Sequence, residues 1–175
     1  PHIMEKVIST SELNEILLEL IESAETYYSQ SHSYFEDMYY TGCRSIEPLL
    51  IDRWKYLNGN VILSTVKTEA IRFFKPSKLS HDLLASIDDT LPPYGGLTYD
   101  QLTAEFRKYI KLHPIYCGYR VADTYLFRYN RAKQLFLETN DLVKVQEFFG
   151  WQSLDTANRY VTQKLVYTSH KVIFR

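Results

Sequence analysis

The stretch GWQSLDTANRY, residues 150–160, decides the fold of this 175-residue chain. A glycine and a tryptophan open it, and Tyr160 closes it nine residues after Trp151. The pattern predicts a short helix, from Ser153 to Thr162, that carries Tyr160. Arg128 lies twenty-three residues before Trp151. An arginine, an indole N–H donor and a phenol at these distances are candidates for one shared site.

Three more candidate residues lie in the first half of the chain. The tetrapeptide Thr-Gly-Cys-Arg ends at Arg44, and Glu47 follows one helical turn later. Lys67 lies between two apolar runs that read as strands. Two arginines, a lysine, an indole and a tyrosine are what covalent cleavage of a DNA phosphodiester requires. Guanidinium groups stabilise the negative charge that builds on the phosphate oxygens, and the phenol supplies the nucleophile.

The order and spacing of these residues resemble the active site of the tyrosine recombinases, the phage integrase family. The resemblance covers about residues 9–165 and rests on Arg44, Glu47, Lys67, Arg128, Trp151 and Tyr160. It implies the tyrosine-recombinase catalytic-domain fold, which is mainly helical with a small antiparallel β-sheet. It also implies a site-specific recombinase that cuts and rejoins DNA through a 3′-phosphotyrosyl intermediate, without metal, ATP or another cofactor. The implied partners are double-stranded DNA and further copies of the chain, as a tetramer on DNA.

The resemblance also implies a role for each of these residues. Tyr160 is the expected nucleophile, and its attack releases a 5′-hydroxyl. Arg44 and Arg128 are expected to hold the scissile phosphate. Lys67 corresponds to the hairpin lysine that protonates the leaving 5′-oxygen as a general acid. Trp151 stands where the family often has histidine, and its indole can donate one N–H to a phosphate oxygen.

One position departs from the family pattern. The family commonly has His-x-x-Arg at the second arginine, whereas this chain has Tyr125 three residues before Arg128. A tyrosine can hydrogen-bond a phosphate, but its ordinary pKa near 10 makes it a poor base at neutral pH. The proton acceptor for Tyr160 is therefore left open. Glu47 is expected to orient a basic side chain. No histidine lies at a spacing that replaces the missing one: His2, His32, His81, His113 and His170.

Two alternative functions remain at this stage. A telomere resolvase or type IB topoisomerase shares the chemistry, although the nine-residue gap between Trp151 and Tyr160 favours a recombinase. A DNA-binding module with a decayed active site is motivated by Tyr125. A helical bundle that binds other proteins and not DNA is the least favoured reading.

The charge distribution is compatible with DNA binding even though the net charge is only −1. Residues 1–99 carry 8 Lys and Arg against 14 Asp and Glu, a balance of −6. Residues 100–175 carry 12 against 7, a balance of +5. The basic excess thus lies in the half that holds Arg128, Trp151 and Tyr160, and a basic footprint is what duplex DNA attracts.

Composition predicts one domain over residues 5–164, because 45% hydrophobic residues suffice for a single core. Residues 1–4, Pro-His-Ile-Met, are typical of a cloning remnant. Residues 165–175 form an apolar tail that we expect to pack on its own domain or to be exchanged between protomers. The additional N-terminal helical domain of the family is not expected within this sequence. Two cysteines, no apolar run of about 18 residues and no visible leader suit a reducing, cytoplasmic protein.

Periodicity and turn signals predict most of the elements. Helices are expected from Ser9 or Thr10 onward and over 33–40, 80–90, 98–111, 123–137, 140–149 and 153–162. A further helix is expected to begin at Arg44, with Ile46, Leu49, Leu50 and Ile51 buried. Strands are expected over 61–65 and 70–74, after a tight turn at Asn58-Gly59. That arrangement places Lys67 at or near a hairpin tip.

Overall fold

The computed structural model describes residues 5–27, 29–67, 70–112, 124–167 and 172–175. Seven α-helices lie within these ranges: α1 Thr10–Thr26, α2 Ser31–Thr41, α3 His81–Asp89, α4 Tyr99–Ile110, α5 Tyr125–Thr139, α6 Leu142–Phe149 and α7 Leu154–Thr162. The strands are β1 Lys6–Ile8, β2 Trp54–Leu57, β3 Asn60–Ser64, β4 Ile71–Phe74, β5 Leu165–Tyr167 and β6 Val172–Phe174. None of the described helices is long and apolar enough to cross a membrane.

The strands form two antiparallel sheets, in the orders β1-β5-β6 and β2-β3-β4. The predicted fold class, mainly helical with a small antiparallel sheet, is therefore confirmed. The β1-β5-β6 sheet joins the two ends of the described chain. Several sequence predictions concern residues outside the described ranges: the remnant at 1–4, Cys117, the start of a helix at Asp123, and His2, His113 and His170.

The helical core is built around α1 and α2. One stripe of α1 is buried as its periodicity predicts: Leu13, Ile16, Leu17, Leu20, Ile21 and Ala24. Phe35 of α2 contacts Phe106 of α4 and Phe127 of α5, with ring centroids 6.1 and 6.0 Å apart. Burial of each such side chain contributes roughly 1.5–3 kcal/mol. Because Phe127 is anchored in this core, the neighbouring Arg128 is held in a fixed position.

The β2-β3-β4 sheet presents Lys67. Asn58 and Gly59 form the predicted turn, with φ of 50° and 82°. The backbone N–H of Thr65 donates to the carbonyl of Ala70 at 2.9 Å and closes the loop after β3. Lys67 lies in that loop and is exposed. The strand β2, which pairs with β3, was not predicted.

The predicted helix from Arg44 is wrong. Two 3₁₀ turns, Glu47–Leu49 and Ile51–Arg53, occupy this segment instead. Pro48 cannot donate a backbone hydrogen bond, and the Glu47 carboxylate accepts from backbone N–H groups outside a helix. The four apolar residues expected in its core are only half-buried: Ile46, Leu49, Leu50 and Ile51.

The described part of the C-terminal tail packs on its own domain. β5 pairs with β1 in the register Val7↔Val166, and β6 pairs with β5. Lys164 and Arg175 exchange two backbone hydrogen bonds of 2.6 and 2.7 Å. The Arg175 guanidinium also forms an ion pair with Glu5. The tail thereby reaches the candidate site, because Phe174 packs edge-on against Tyr125 at 5.1 Å.

Candidate active site

Candidate residues from both halves of the chain line one pocket of about 750 Å³. Six of them line it: Arg44, Lys67, Tyr125, Arg128, Trp151 and Tyr160. They come from the loop after α2, the hairpin after β3, helix α5, the α6–α7 junction and helix α7. The seventh candidate, Glu47, is fully buried beside the pocket.

Arg128 is the central cation of the pocket. It lies on α5 with only 6% of its surface exposed. Its Nη1 donates to the Gly42 carbonyl at 2.8 Å, and its Nε donates to the Tyr160 hydroxyl at 3.4 Å. The guanidinium also lies over the Trp151 ring, 5.5 Å from the centroid. These contacts fix the guanidinium plane and direct one of its edges towards the phenol.

Tyr160 is held inside the domain by a stack of aromatic rings. Its ring stacks on Trp151 with centroids 4.7 Å apart and an interplanar angle of 20°. Trp151 stacks in turn on Phe149 at 4.4 Å and 7°. Pairs of this kind are worth about 0.5–1.5 kcal/mol beyond their buried area. Tyr160 is consequently docked, with 8% of its surface exposed.

Gly150 is required for this stack. It ends α6 in the left-handed region, with φ of 72°. A Cβ at this position would lie 3.1 Å from the Cβ of Ala70 and 3.4 Å from the Cγ of Arg72. A glycine at this position therefore permits both the left-handed conformation that ends α6 and the close approach of Ala70 and Arg72. Trp151 follows directly and stacks on Tyr160.

Tyr125 interacts directly with Tyr160. Their hydroxyls form a hydrogen bond, and their ring centroids are 5.9 Å apart. Burial raises the pKa of Tyr125 well above its ordinary value, and the hydrogen bond with Tyr160 raises it further. Tyr125 thus keeps its proton at neutral pH. It is a neutral hydrogen-bond partner of Tyr160 and not a base.

Arg44 faces Arg128 across the pocket with its backbone held by Glu47. The backbone N–H of Arg44 donates to Glu47 Oε1 at 2.6 Å, and Arg44 Nη1 lies 3.9 Å from Oε2. Burial, followed by repulsion from Arg128, lowers the pKa of Arg44. An arginine stays protonated at neutral pH despite such a shift. The pocket therefore contains two fixed positive charges near the Tyr160 hydroxyl.

Glu47 does more than orient a basic side chain. Its Oε2 accepts from the backbone N–H of Val66 at 3.1 Å, directly before Lys67. Its own carbonyl accepts from the indole of Trp54 at 2.8 Å. One buried carboxylate thus joins the loop that carries Arg44 to the hairpin that carries Lys67.

Several pocket residues were not predicted from the sequence. Arg159 lies 6.0 Å from the Tyr160 ring centroid, and Ser45 is hydrogen-bonded to Tyr99 at 3.2 Å. Other unpredicted residues complete the wall: Cys43, Ile46, Thr124, Gln152, Ser153 and Thr156. Proximity in sequence to Arg44 or Tyr160 was the signal for most of them, whereas Tyr99 had none. Within the described ranges, no three His, Cys, Asp or Glu side chains cluster as metal ligands do.

Solved structures with a similar fold include two recombinases and an integrase. The XerH site-specific recombinase bound to palindromic difH substrate, in a post-cleavage complex, has a TM-score of 0.61 at 21% identity, covering 86% of this chain and 48% of that one. A lambda integrase dimer bound to a COC′ core site has a TM-score of 0.61 at 14% identity, covering 85% and 57%. The XerA recombinase has a TM-score of 0.57 at 14% identity, covering 84% and 56%.

The chain spans about half the length of these recombinases. No protein-family model matches the sequence, and no curated protein is significantly similar to it. The likeness is thus one of fold, and it extends over more than four-fifths of the described chain's length. The protein has the fold of the tyrosine recombinase catalytic domain.

Proposed function

We propose that this chain is the catalytic domain of a site-specific DNA recombinase that uses Tyr160 as its nucleophile. The observation that carries the proposal is the meeting of a docked phenol with two arginines in one pocket. Arg128 donates to the Tyr160 hydroxyl, and Arg44 lines the same pocket with Lys67. This combination of a nucleophile, two arginine cations and an exposed ammonium suits phosphodiester transesterification.

The reaction follows from the chemistry of each group. The Tyr160 oxygen attacks the phosphorus, a 3′-phosphotyrosyl bond forms and the bond to the 5′-oxygen breaks. Arg44 and Arg128 stabilise the charge on the non-bridging oxygens, and the Trp151 indole N–H donates to one of them. Lys67 gives a proton to the 5′-oxygen.

The Tyr160 proton passes to water or to a phosphate oxygen, because the raised pKa of Tyr125 keeps that side chain protonated and unable to act as a base. Reversal of the same steps with a new 5′-hydroxyl rejoins the strand. The phosphotyrosyl bond conserves the energy of the broken phosphodiester, so no ATP and no metal are required.

The proposed substrate is double-stranded DNA, on which the chain assembles as a tetramer. The basic excess of residues 100–175 supports DNA binding on the half that holds Arg128 and Tyr160. The XerH and lambda integrase structures are complexes with DNA, which adds support by likeness of fold. A telomere resolvase or type IB topoisomerase is an alternative that uses the same site.

A second candidate function is DNA binding without cleavage. Tyr125 favours it, because a protonated phenol stands where a base is common in tyrosine recombinases. The two functions differ in one product, since only an enzyme becomes covalently attached to DNA.

A pool of nicked duplexes of randomised sequence tests the proposal, because cleavage beside a nick releases a short strand and traps the covalent intermediate. The chain should form adducts that survive denaturing electrophoresis. Tyr160→Phe should abolish them and leave DNA binding at one fixed salt concentration nearly unchanged. Tyr39→Phe is the matched control, since it also removes one phenolic hydrogen bond, to Asn14 at 2.7 Å, outside the pocket. Adducts that persist in Tyr160→Phe would identify another nucleophile, and binding without adducts in the unmodified chain would favour the second function.

A further inference from the structure

Arg72 is a charged side chain in the interior of the domain. It lies on β4, and only 1% of its surface is exposed. Its Nη2 donates to the Thr41 carbonyl at 2.6 Å, and its Nε donates to the Phe148 carbonyl at 2.9 Å. The guanidinium lies over three phenylalanine rings, 4.9 Å from Phe74, 5.1 Å from Phe148 and 4.8 Å from Phe149. A buried charge is costly unless it is paired, so this arrangement needs a reason.

The contacts of Arg72 connect three of the segments that carry candidate residues. Thr41 ends α2, three residues before Arg44. Phe148 lies at the end of α6, three residues before Trp151. Arg72 itself is on the strand that returns from the loop with Lys67. One rigid fork therefore spans three backbone segments that are distant in sequence and adjacent at the pocket.

We propose that Arg72 is a positioning residue that sets the relative placement of Arg44, Lys67 and Trp151 around the phosphate. This inference rests on the proposed function where it concerns the reaction. The placement of Arg44, Lys67 and Trp151 is a property of the pocket and does not depend on that function. Arg72 donates to the carbonyl of Thr41, and Arg128 donates to the next carbonyl along the chain, that of Gly42. The two arginines thus fix the backbone turn that leads into Arg44 from opposite sides.

Arg72 also adds to the positive potential below the pocket. Burial lowers its pKa to about 9, which still leaves it protonated at neutral pH. Four ionisable groups interact electrostatically with Arg72: Cys43, Arg128, Glu47 and Arg44. Its Nη1 has no hydrogen-bond partner among the described residues. The charge of Arg72 lies beneath the site where a phosphate would bind.

A lysine cannot replace this arginine. An ammonium is a point donor that can reach one of the two carbonyls, whereas the fork reaches both. Arg72→Lys therefore keeps the charge and leaves one buried carbonyl unpaired. The matched control is Arg131→Lys. Arg131 also stacks on Phe148, at 5.2 Å, but its Nε has no acceptor within the described part of the chain.

The test uses the full chain and two measurements below the unfolding temperature of every variant. The first is the single-turnover rate of adduct formation on the nicked duplex pool at saturating DNA, alongside the DNA dissociation constant. For Arg72→Lys, we expect the rate to fall about 100-fold, because displacements near 1 Å have effects of this size. We expect the DNA dissociation constant to change by less than about threefold, because exposed phosphate contacts dominate affinity. Arg131→Lys should match the unmodified chain in both measurements.

The second measurement is the affinity for inorganic phosphate at low salt, monitored by tryptophan fluorescence. This measurement requires no catalysis. Arg72→Lys should bind phosphate at least about fivefold more weakly, because two of the groups around the anion are displaced. Unchanged phosphate affinity and unchanged adduct rate, with only a lower unfolding temperature, would show that Arg72 merely stabilises the fold. An equal loss in Arg131→Lys would also overturn the inference. If the unmodified chain forms no adducts, the proposed function fails, and phosphate affinity alone decides the role of Arg72.

Discussion

Tyr160 combines a hydrophobic attachment with a polar environment around its oxygen. The ring is fixed by Trp151, while the hydroxyl meets the Nε of Arg128 and the hydroxyl of Tyr125. Of these two neighbours, Arg128 is positively charged and donates to the phenolic oxygen. Helix α7 therefore holds the phenol in the pocket of its own chain.

Lys67→Ala should slow cleavage of ordinary DNA but spare a substrate whose 5′-bridging oxygen is replaced by sulfur. A thiolate leaves readily without a proton, so the general acid becomes unnecessary. We expect a loss of roughly 100-fold or more on the oxygen substrate, the usual range for general acid catalysis. Single-turnover adduct formation on both substrates measures this. An equal loss on the two would show that Lys67 binds phosphate or shapes the hairpin and transfers no proton.

Tyr125→His should introduce a pH dependence that the unmodified chain lacks. The raised pKa of Tyr125 keeps it protonated between pH 5 and 8, so it contributes no inflection there. A histidine titrates near pH 6.5, and its neutral form can accept the Tyr160 proton. The adduct rate of the variant should therefore rise as pH increases through about 6.5. Tyr125→Phe, which has no titratable group, is the control, and identical profiles for all three proteins would contradict this role.

At the scale of elements, one buried carboxylate joins α2, α3 and the loop before α4. Asp37 of α2 accepts from the backbone N–H and the hydroxyl of Ser80, at 2.8 and 2.6 Å. It also accepts from the Tyr94 hydroxyl at 2.7 Å. Burial raises the pKa of Asp37 to about 6, although these hydrogen bonds oppose the shift. Ser80 is the N-cap of α3, so Asp37 determines how that helix begins.

The raised pKa of Asp37 predicts a stability that falls as pH rises from about 4 to about 6. In this window the folded chain holds a proton on Asp37 that the unfolded chain has lost, so the free energy of unfolding decreases with pH. The full effect is about 3 kcal/mol for a shift of about two pKa units. The free energy of unfolding of Asp37→Asn should lack this pH-dependent contribution. Urea unfolding of both proteins at pH 4 and pH 7 measures it, and equal pH dependence in the two would contradict the assignment.

Element boundaries were predictable where a local signal coincided with a hydrophobic period. Ser153 caps α7 and Thr98 caps α4, each through a side chain that accepts a backbone N–H. The sequence predicted the cap at Thr98 and the start of a helix at Ser153. The segment after Arg44 was not, because its apolar residues suit a helix while Glu47 is bound to Val66, nineteen residues away. A long-range hydrogen bond of this kind overrides local propensity and leaves no mark in the local sequence.

The residues of the candidate site also differ in whether a local sequence signal points to them. Tyr160, Trp151 and Arg128 were found from spacing along the chain, since short helices transmit spacing directly into geometry. Arg72 was missed because it occurs in an ordinary strand pattern. Strand alternation places it on the face that Phe74 buries, and a charge on a buried face is a signal for a specific partner. The sequence contains no sign of the partners themselves, the carbonyls of Thr41 and Phe148.

At the scale of the whole molecule, the described tail strands complete a sheet with β1. Leu165 and Val166 are buried there, and Phe174 packs against Tyr125 and Tyr129. A strand that pairs with β1 in its own chain can pair in the same way with β1 of a neighbour. Exchange of this tail between protomers on DNA remains a prediction.

Deletion of residues 165–175 should weaken assembly on DNA with two sites more than binding to one site. We expect a loss of roughly tenfold or more in two-site assembly, since a link between protomers acts through effective concentration. Analytical ultracentrifugation should show the unmodified chain as mostly monomeric without DNA. Glu5→Gln, which removes only the ion pair with Arg175, is the control and should have little effect. Unchanged two-site assembly of the deletion variant would exclude the tail as the link.

The identity of the amino acid attached to DNA tests the central claim most directly. Trypsin cleavage after Lys144 and Lys164 yields residues 145–164 when the site after Arg159, beside the attached nucleotide, is missed, and Tyr160 is the only tyrosine in this peptide. Mass spectrometry of nuclease-treated adducts should find a 3′-linked nucleotide on this peptide, or on its fragment 160–164. A nucleotide on any other peptide, or its absence from Tyr160 in a confirmed adduct, would contradict the account.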